Sequence, residues 1–188
     1  AMVLPSIDPE PWGVGVRNNL VTLDEGVNSA WSQVQSVYQR RADLIPNLVE
    51  TVKGFAKQEK DVLIGVTEAR AKVSQMTVTK EGLDDPQAFA RFQASQDQLS
   101  SALSRLLVVS ENYPQLKSNE NFLNLQTQLE GTENRITVER QRFNTTVQAF
   151  HTSIRRFPAS LVASFSGFKE KSYFQAKEGA ENAPAVKF

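Results

Sequence analysis

The chain has no cysteine and one histidine in 188 residues, and its 21 lysines and arginines are matched by 21 aspartates and glutamates. Without cysteine there is no disulfide, thiolate metal site or cysteine nucleophile, and the redox compartment is left open. One histidine is too few for the usual multi-histidine metal centres. A formal net charge of +0 provides neither a basic footprint for nucleic acid nor an acidic tail. No run approaches the roughly 18 to 20 apolar residues that cross a bilayer, and no signal peptide with a basic start and apolar middle is present. Glycine loops that cradle phosphate and the serine nucleophile elbow are missing as well.

What the chain does hold is helical periodicity. With 40% hydrophobic and 22% charged residues it suits one compact domain that buries roughly 70% of its unfolded surface without metals or disulfides. Pro5, Pro9, Pro11, Gly13 and Gly15 are too dense for a stable helix and predict a flexible lead-in over residues 1–16. Ala1-Met2 fits a cloning remnant or a native start equally well. From Val16 to Tyr38 apolar residues recur in steps of three and four, the mark of a helix facing a bundle. A second helix is expected from Asp43, as a cap, with Pro46 in its first turn, to about Gln75. The joint from Arg41 to Ile45 reads as a tight turn or a proline kink, and the turn is favoured because it yields four helices of comparable length. Asp85-Pro86 opens a third helix that Pro114 ends, and Ser118 or Asn119 caps a fourth whose apolar face runs from Phe122 to Phe157, before Pro158.

The predicted fold is therefore all-α: an antiparallel four-helix up-and-down bundle of long helices over residues 17–158, with a short C-terminal helical extension over 159–188. In that extension Leu161, Val162, Phe165, Phe168, Tyr173 and Phe174 stand among small residues and lysines. They suit a short helix capping the bundle or, alternatively, a membrane-surface contact.

Reactive constellations are sparse. A carboxylate-bridged metal site needs Glu-x-x-His pairs, whereas His151 has Gln148 three residues before it. Glu130 and Glu133 share one helix at a spacing open to general acid/base work, but no second base or nucleophile accompanies them. One charged pair falls on apolar stripes: Glu59 on the second helix and Arg140 on the fourth. It predicts a buried ion pair between them, with snorkelling of both side chains as the alternative.

The residues from Arg40 to Gly54, RRADLIPNLVETVKG, and from Leu129 to Ile136, LEGTENRI, closely resemble the two signatures of the LemA family. Leu103 to Val109, Tyr113-Pro114, Asn121-Phe122 and Ile154 to Pro158 follow in that family's order, so the resemblance covers about residues 17 to 188. Gln58, Phe143 and His151 stand where such proteins often carry His, Tyr and Asn. The resemblance implies an all-helical domain of the bacterial cell envelope, anchored by a single N-terminal membrane segment, with no established enzymatic activity. The present chain is then the soluble part that follows such a segment. Other envelope proteins and the membrane are the expected partners, with no nucleic acid, small-molecule substrate, metal or cofactor. The polar residues of the two signatures, Arg41, Asp43, Asn47, Glu50, Lys53, Glu130, Glu133, Asn134 and Arg135, form the candidate interaction surface of a non-enzymatic scaffold, unless they cap helices and fix turns instead. A membrane-surface or lipid-binding module working through the aromatic C-terminal segment is the alternative.

Overall fold

The computed structural model describes residues 10–156 and 158–175. Among them are six helices and no strand: α1 (Glu10–Lys53), α2 (Lys60–Gln75), α3 (Pro86–Ser110), the single turn α4 (Pro114–Lys117), α5 (Glu120–Arg155) and α6 (Ala159–Ser166), with a 3-10 turn at Glu81–Asp84. The expectations for residues 1–9 and 176–188, and for Phe157 at the end of the fourth apolar face, lie outside the described residues.

The largest departure from the sequence reading is α1. It is 44 residues long and contains Pro46, running unbroken through the stretch where a turn was favoured, so Asp43 is not a cap. The reason is its apolar stripe. Val27, Trp31, Val34, Tyr38, Arg41, Ile45, Leu48 and Val52 are all buried and follow one another in alternating steps of four and three, so a turn would have taken half the stripe off the core. Pro46 has no N–H to donate to the Ala42 carbonyl, a fault that costs on the order of 3 kcal/mol inside a helix. Arg70 Nε of α2 donates to that orphaned oxygen at 3.0 Å and recovers part of the loss. Residues 10–16 are helical too, because Pro11 sits in the first turn, where its missing N–H has no intrahelical partner to lose.

The chain breaks instead at residues 54–59, where the Phe55 and Ala56 amides both fold back onto the Val52 carbonyl, at 3.0 and 2.8 Å. The four long helices are consequently unequal, at 44, 16, 25 and 36 residues. Other boundaries follow the sequence closely. Asp85 caps α3 by accepting from the Gln87 and Ala88 amides, and Asn119 caps α5 by accepting from the Phe122 amide at 3.0 Å.

α1 packs along α5 and α2 along α3, while α2 also touches α1. Gly26 lies against Thr146, Arg41 against Glu133 and Thr51 against Asn121, so α1 and α5 run in opposite directions. Two apolar clusters result. One is aromatic: Trp31, Phe89, Phe92, Phe143, Phe150 and Phe174 join Leu20, Val27 and Val34, and the Trp31 ring lies 5.3 to 6.2 Å from four phenylalanines. The other is aliphatic, built from Ile45, Leu48, Val52, Leu63, Val66, Leu99, Leu106 and Leu129 with Phe122 as its one aromatic buried residue.

After α5 the chain forms the short helix expected, α6, capped by Gly167 in the left-handed conformation at φ 76. It then runs as a strap along the seam between α3 and α5. Asn144 of α5 accepts from the Phe174 N–H and donates to its C=O, at 2.9 and 3.0 Å. Gln93 of α3 does the same for Gln175, at 3.1 and 2.8 Å. Each side-chain amide thus stands in for the backbone of a neighbouring strand. Phe174 is buried, Phe168 and Tyr173 are half-buried, and all three join the aromatic cluster. Among the described aromatic side chains of this segment, Phe165 alone points fully outward.

Candidate functional site

Between the two clusters lies a layer of charge. Arg41 is fully buried, a placement that costs several kcal/mol unless the guanidinium is paired and hydrogen-bonded. Its Nη1 donates to Glu133 at 2.8 Å and Ser100 at 2.6 Å, and its Nη2 to the carbonyl and side-chain oxygens of Gln96 at 3.0 and 2.6 Å. Only its Nε lacks a partner. Helices α1, α3 and α5 are thereby joined through one side chain.

A second arginine repeats the device one turn along. Arg140 of α5 donates to the Tyr38 hydroxyl at 2.6 Å and to Asp97 of α3 at 2.9 Å, and its guanidinium lies 4.9 Å from the Phe174 ring. Burial pushes the Tyr38 hydroxyl up to about 12, with the Arg140 charge pulling the other way. Tyr38 therefore stays neutral, and the layer balances two guanidiniums against two carboxylates. The predicted Glu59–Arg140 pair does not form. Glu59 lies in the break before α2, at the far end of the aliphatic half, and its carboxylate accepts from the Tyr113 hydroxyl at 2.7 Å. Placing the break at residue 43 had put Glu59 in mid-helix; moving it to 54–59 takes Glu59 to the end of the molecule.

Beside this layer the seam between α3 and α5 opens. The strap covers the aromatic half, and beside the aliphatic half α3 and α5 flank a groove of about 580 Å³, lined by Asp97, Ser100, Leu103 and Ser104 of α3 and by Leu129, Glu130, Glu133, Asn134 and Arg140 of α5. Its floor is apolar and its walls are polar. Both Glu130 and Glu133 face it, yet Glu133 is committed to Arg41 and Ser100, and Glu130 accepts only from Gln126 at 3.3 Å. The one hydroxyl against them, that of Ser100, donates to Glu133 and accepts from the Arg41 guanidinium, so it is held in the ion-pair network and is not activated by a free base.

The remaining signature residues scatter. Asp43 is exposed and accepts from Gln39. Asn47 sits near Asn121 at 3.5 Å, Glu50 and Lys53 pair with each other at 3.5 Å on the surface, and Arg135 is exposed. Asn121 and Glu130 are half a turn apart around α5, so the α1 residues and the groove residues open onto different sides of that helix. The structure brings Arg41 and Glu133 together; the nine residues do not make one continuous surface. Sequence reasoning passed over Tyr38, Gln96, Asp97 and Ser100. The signal for Arg41 was present, since it occupies a core position of the α1 stripe.

Comparison with known proteins is consistent along the chain. Magnetosome protein MamQ 2 of Paramagnetospirillum magneticum and magnetosome protein MamQ of Magnetospirillum gryphiswaldense are each 25% identical to it over 180 residues, covering 87% of this chain and 66% of their own length. This chain therefore spans just under two thirds of those relatives. Protein LemA of Metamycoplasma hominis is 24% identical over 165 residues, covering 88% of this chain and 71% of its own. The LemA family model matches residues 30–188, a stretch that takes in both arginine anchors, the groove and the strap, and the chain belongs to the LemA family.

Proposed function

We propose that this chain is a non-enzymatic scaffold of the bacterial envelope, tethered to a membrane by a segment ahead of α1, whose four long helices form an antiparallel up-and-down bundle and offer the α3–α5 groove to other envelope proteins. The groove carries the reading. Its floor is apolar and its wall charges are already satisfied, Glu133 by the buried Arg41 behind it and Asp97 by Arg140, which suits a preformed docking surface better than a site that must bind and transform a small molecule. Glu130 and Asn134 remain exposed on its rim. The names of the MamQ relatives attach those proteins to the magnetosome, which supports a place at a membrane. Among the described residues no helix is long and apolar enough to cross one, so the tether belongs to the proposal.

Proximity labelling from the full-length protein in its own cell tests the reading. Neighbours enriched over an unrelated membrane-tethered bundle are expected, and Glu130→Lys with Asn134→Arg should deplete them at unchanged expression. Labelling that shows no enrichment, or is indifferent to both substitutions, removes the support for a groove-based scaffold.

A further inference from the structure

The helix α6 (Ala159–Ser166, ASLVASFS) carries no charge. Ala163 and Val162 turn towards the aromatic cluster, whereas Leu161 and Phe165, one turn apart on the same face, are 54% and 91% exposed. Folding makes no use of Phe165. Cations flank the helix on both sides: Arg155 and Arg156 before it, Lys169 and Lys171 after it. Arg155 is taken up by Glu170, and Lys171 by Asp24 and Asp84; Arg156 and Lys169 are exposed and have no ion-pair partner among the described residues. In a chain of net charge +0 this local excess is not a by-product of composition. Trp12, 51% exposed, lines a shallow cleft with Ser153, Arg156 and Ala159, which sets an amphipathic aromatic beside the start of α6.

We propose that this end of the molecule is a membrane-contact face, in which Leu161 and Phe165 insert into the surface of an anionic bilayer with Trp12 beside them and Arg156 and Lys169 at the rim. An uncharged helical face bordered by the exposed cations Arg156 and Lys169 matches the interface of an anionic leaflet, where apolar side chains enter the acyl boundary and lysines and arginines meet phosphate. A protein groove would instead be expected to supply acidic partners one by one. The proposal goes beyond the scaffold reading and does not depend on it. It also narrows the membrane-surface alternative from the whole segment 161–174 to Leu161 and Phe165, since Val162, Phe168, Tyr173 and Phe174 pack on the core.

The test is flotation of the 188-residue protein with vesicles of phosphatidylcholine alone and of phosphatidylcholine with about a third phosphatidylglycerol. Binding is expected with the anionic vesicles, weakened at high salt, and brominated lipid should quench Trp12 while Trp31, 1% exposed, is spared. Leu161→Ser with Phe165→Ser should lower binding by roughly tenfold or more without shifting the melting temperature, since neither side chain supports the core. Arg156→Glu should reduce it on anionic vesicles alone. No binding at millimolar lipid, or binding indifferent to the double substitution, overturns the proposal. So does a concentration-dependent dimer that the double substitution dissolves in the absence of vesicle binding, because the face would then belong to a second copy. Flotation needs no partner protein, so a failed labelling experiment leaves this result standing.

Discussion

The two halves of the molecule solve the same packing problem with different materials. In the aromatic half, Phe89 of α3 and Phe143 of α5 stack across the seam with ring centres 6.0 Å apart, and the strap covers them with Phe174, 4.9 and 5.6 Å from the two rings. In the aliphatic half, branched side chains fill the interior, and among the described residues α3 and α5 leave the groove between them. The comparison teaches that where rings line the seam one further ring, Phe174, seals it, whereas beside the aliphatic cluster the seam is walled by polar side chains.

Substitution at the centre of the aromatic half should have the largest effect. Trp31→Ala is expected to cost about 3 to 5 kcal/mol, because it empties a cavity among four rings and removes the Nε1 donor to the Val78 carbonyl at 3.0 Å. Leu99→Ala in the aliphatic half should fall within about 2 to 5 kcal/mol. Denaturant melts that placed Leu99→Ala well above Trp31→Ala would reverse the ranking of the two halves.

Next comes the layer between them. Glu133→Gln leaves the buried Arg41 with its neutral partners only and is expected to cost about 2 to 3 kcal/mol, at the low end for a broken buried pair because the Glu133 side chain is 38% exposed. Far-UV circular dichroism and the fluorescence of a Trp12→Phe background, which reports Trp31, should still show one coincident transition, since α1 and α5 run through both halves. Separate transitions would show that the ion pair, and not the shared helices, couples them.

A smaller effect belongs to the proline in α1. Arg70→Met should cost about 1 to 2 kcal/mol by leaving the Ala42 carbonyl without a donor. In a Pro46→Ala background, where residue 46 regains its N–H, the cost should shrink; equal costs in both backgrounds would mean that Arg70 does not compensate the proline.

The strap supplies the finest test. His151 Nε2 accepts the Lys171 N–H at 2.7 Å, and burial lowers its pKa below the usual 6.5, with Arg155 and Lys171 adding to the effect and Glu170 opposing it. The folded state takes up the proton less readily than the unfolded chain, so this contribution is complete above about 6.5 and is lost as pH falls through the depressed folded value. Protonation also removes the acceptor for Lys171. Melting temperature should therefore drop between neutral and mildly acidic pH, with faster exchange of the Lys171 amide, while His151→Gln flattens that arm of the profile. An unchanged profile in His151→Gln would detach the strap from this histidine.

Much of the helical content was legible in the residues because capping is local chemistry: Asp85 before Pro86 and Asn119 before Glu120 mark their helices without help from tertiary structure. The α1–α2 joint was misread because Pro46 is a strong local signal and the compensating donor, Arg70, lies 24 residues away. The unbroken stripe through Arg41 was the better guide, but it passes through a charged residue, and charge normally marks a surface. The strap was illegible for a related reason. Its hold depends on the Asn144 and Gln93 side-chain amides, whose pairing with a backbone has no periodicity to detect. For the site, the acidic side of the groove could be read from Glu130 to Asn134, whereas its α3 wall could not, since Asp97 and Ser100 gain their meaning only opposite α5.

The unbroken α1 also sets a distance. A helix of 44 residues is about 66 Å long at about 1.5 Å per residue, and Arg41, which marks the level of the groove, lies roughly 47 Å along it from Glu10. Because α6 and then α5 back it along that span, the helix is a stiff spacer that fixes the height of the groove above the α6 end. Lengthening α1 by whole turns would raise that height while keeping its faces in register, so the protein's reach is encoded in the length of one helix.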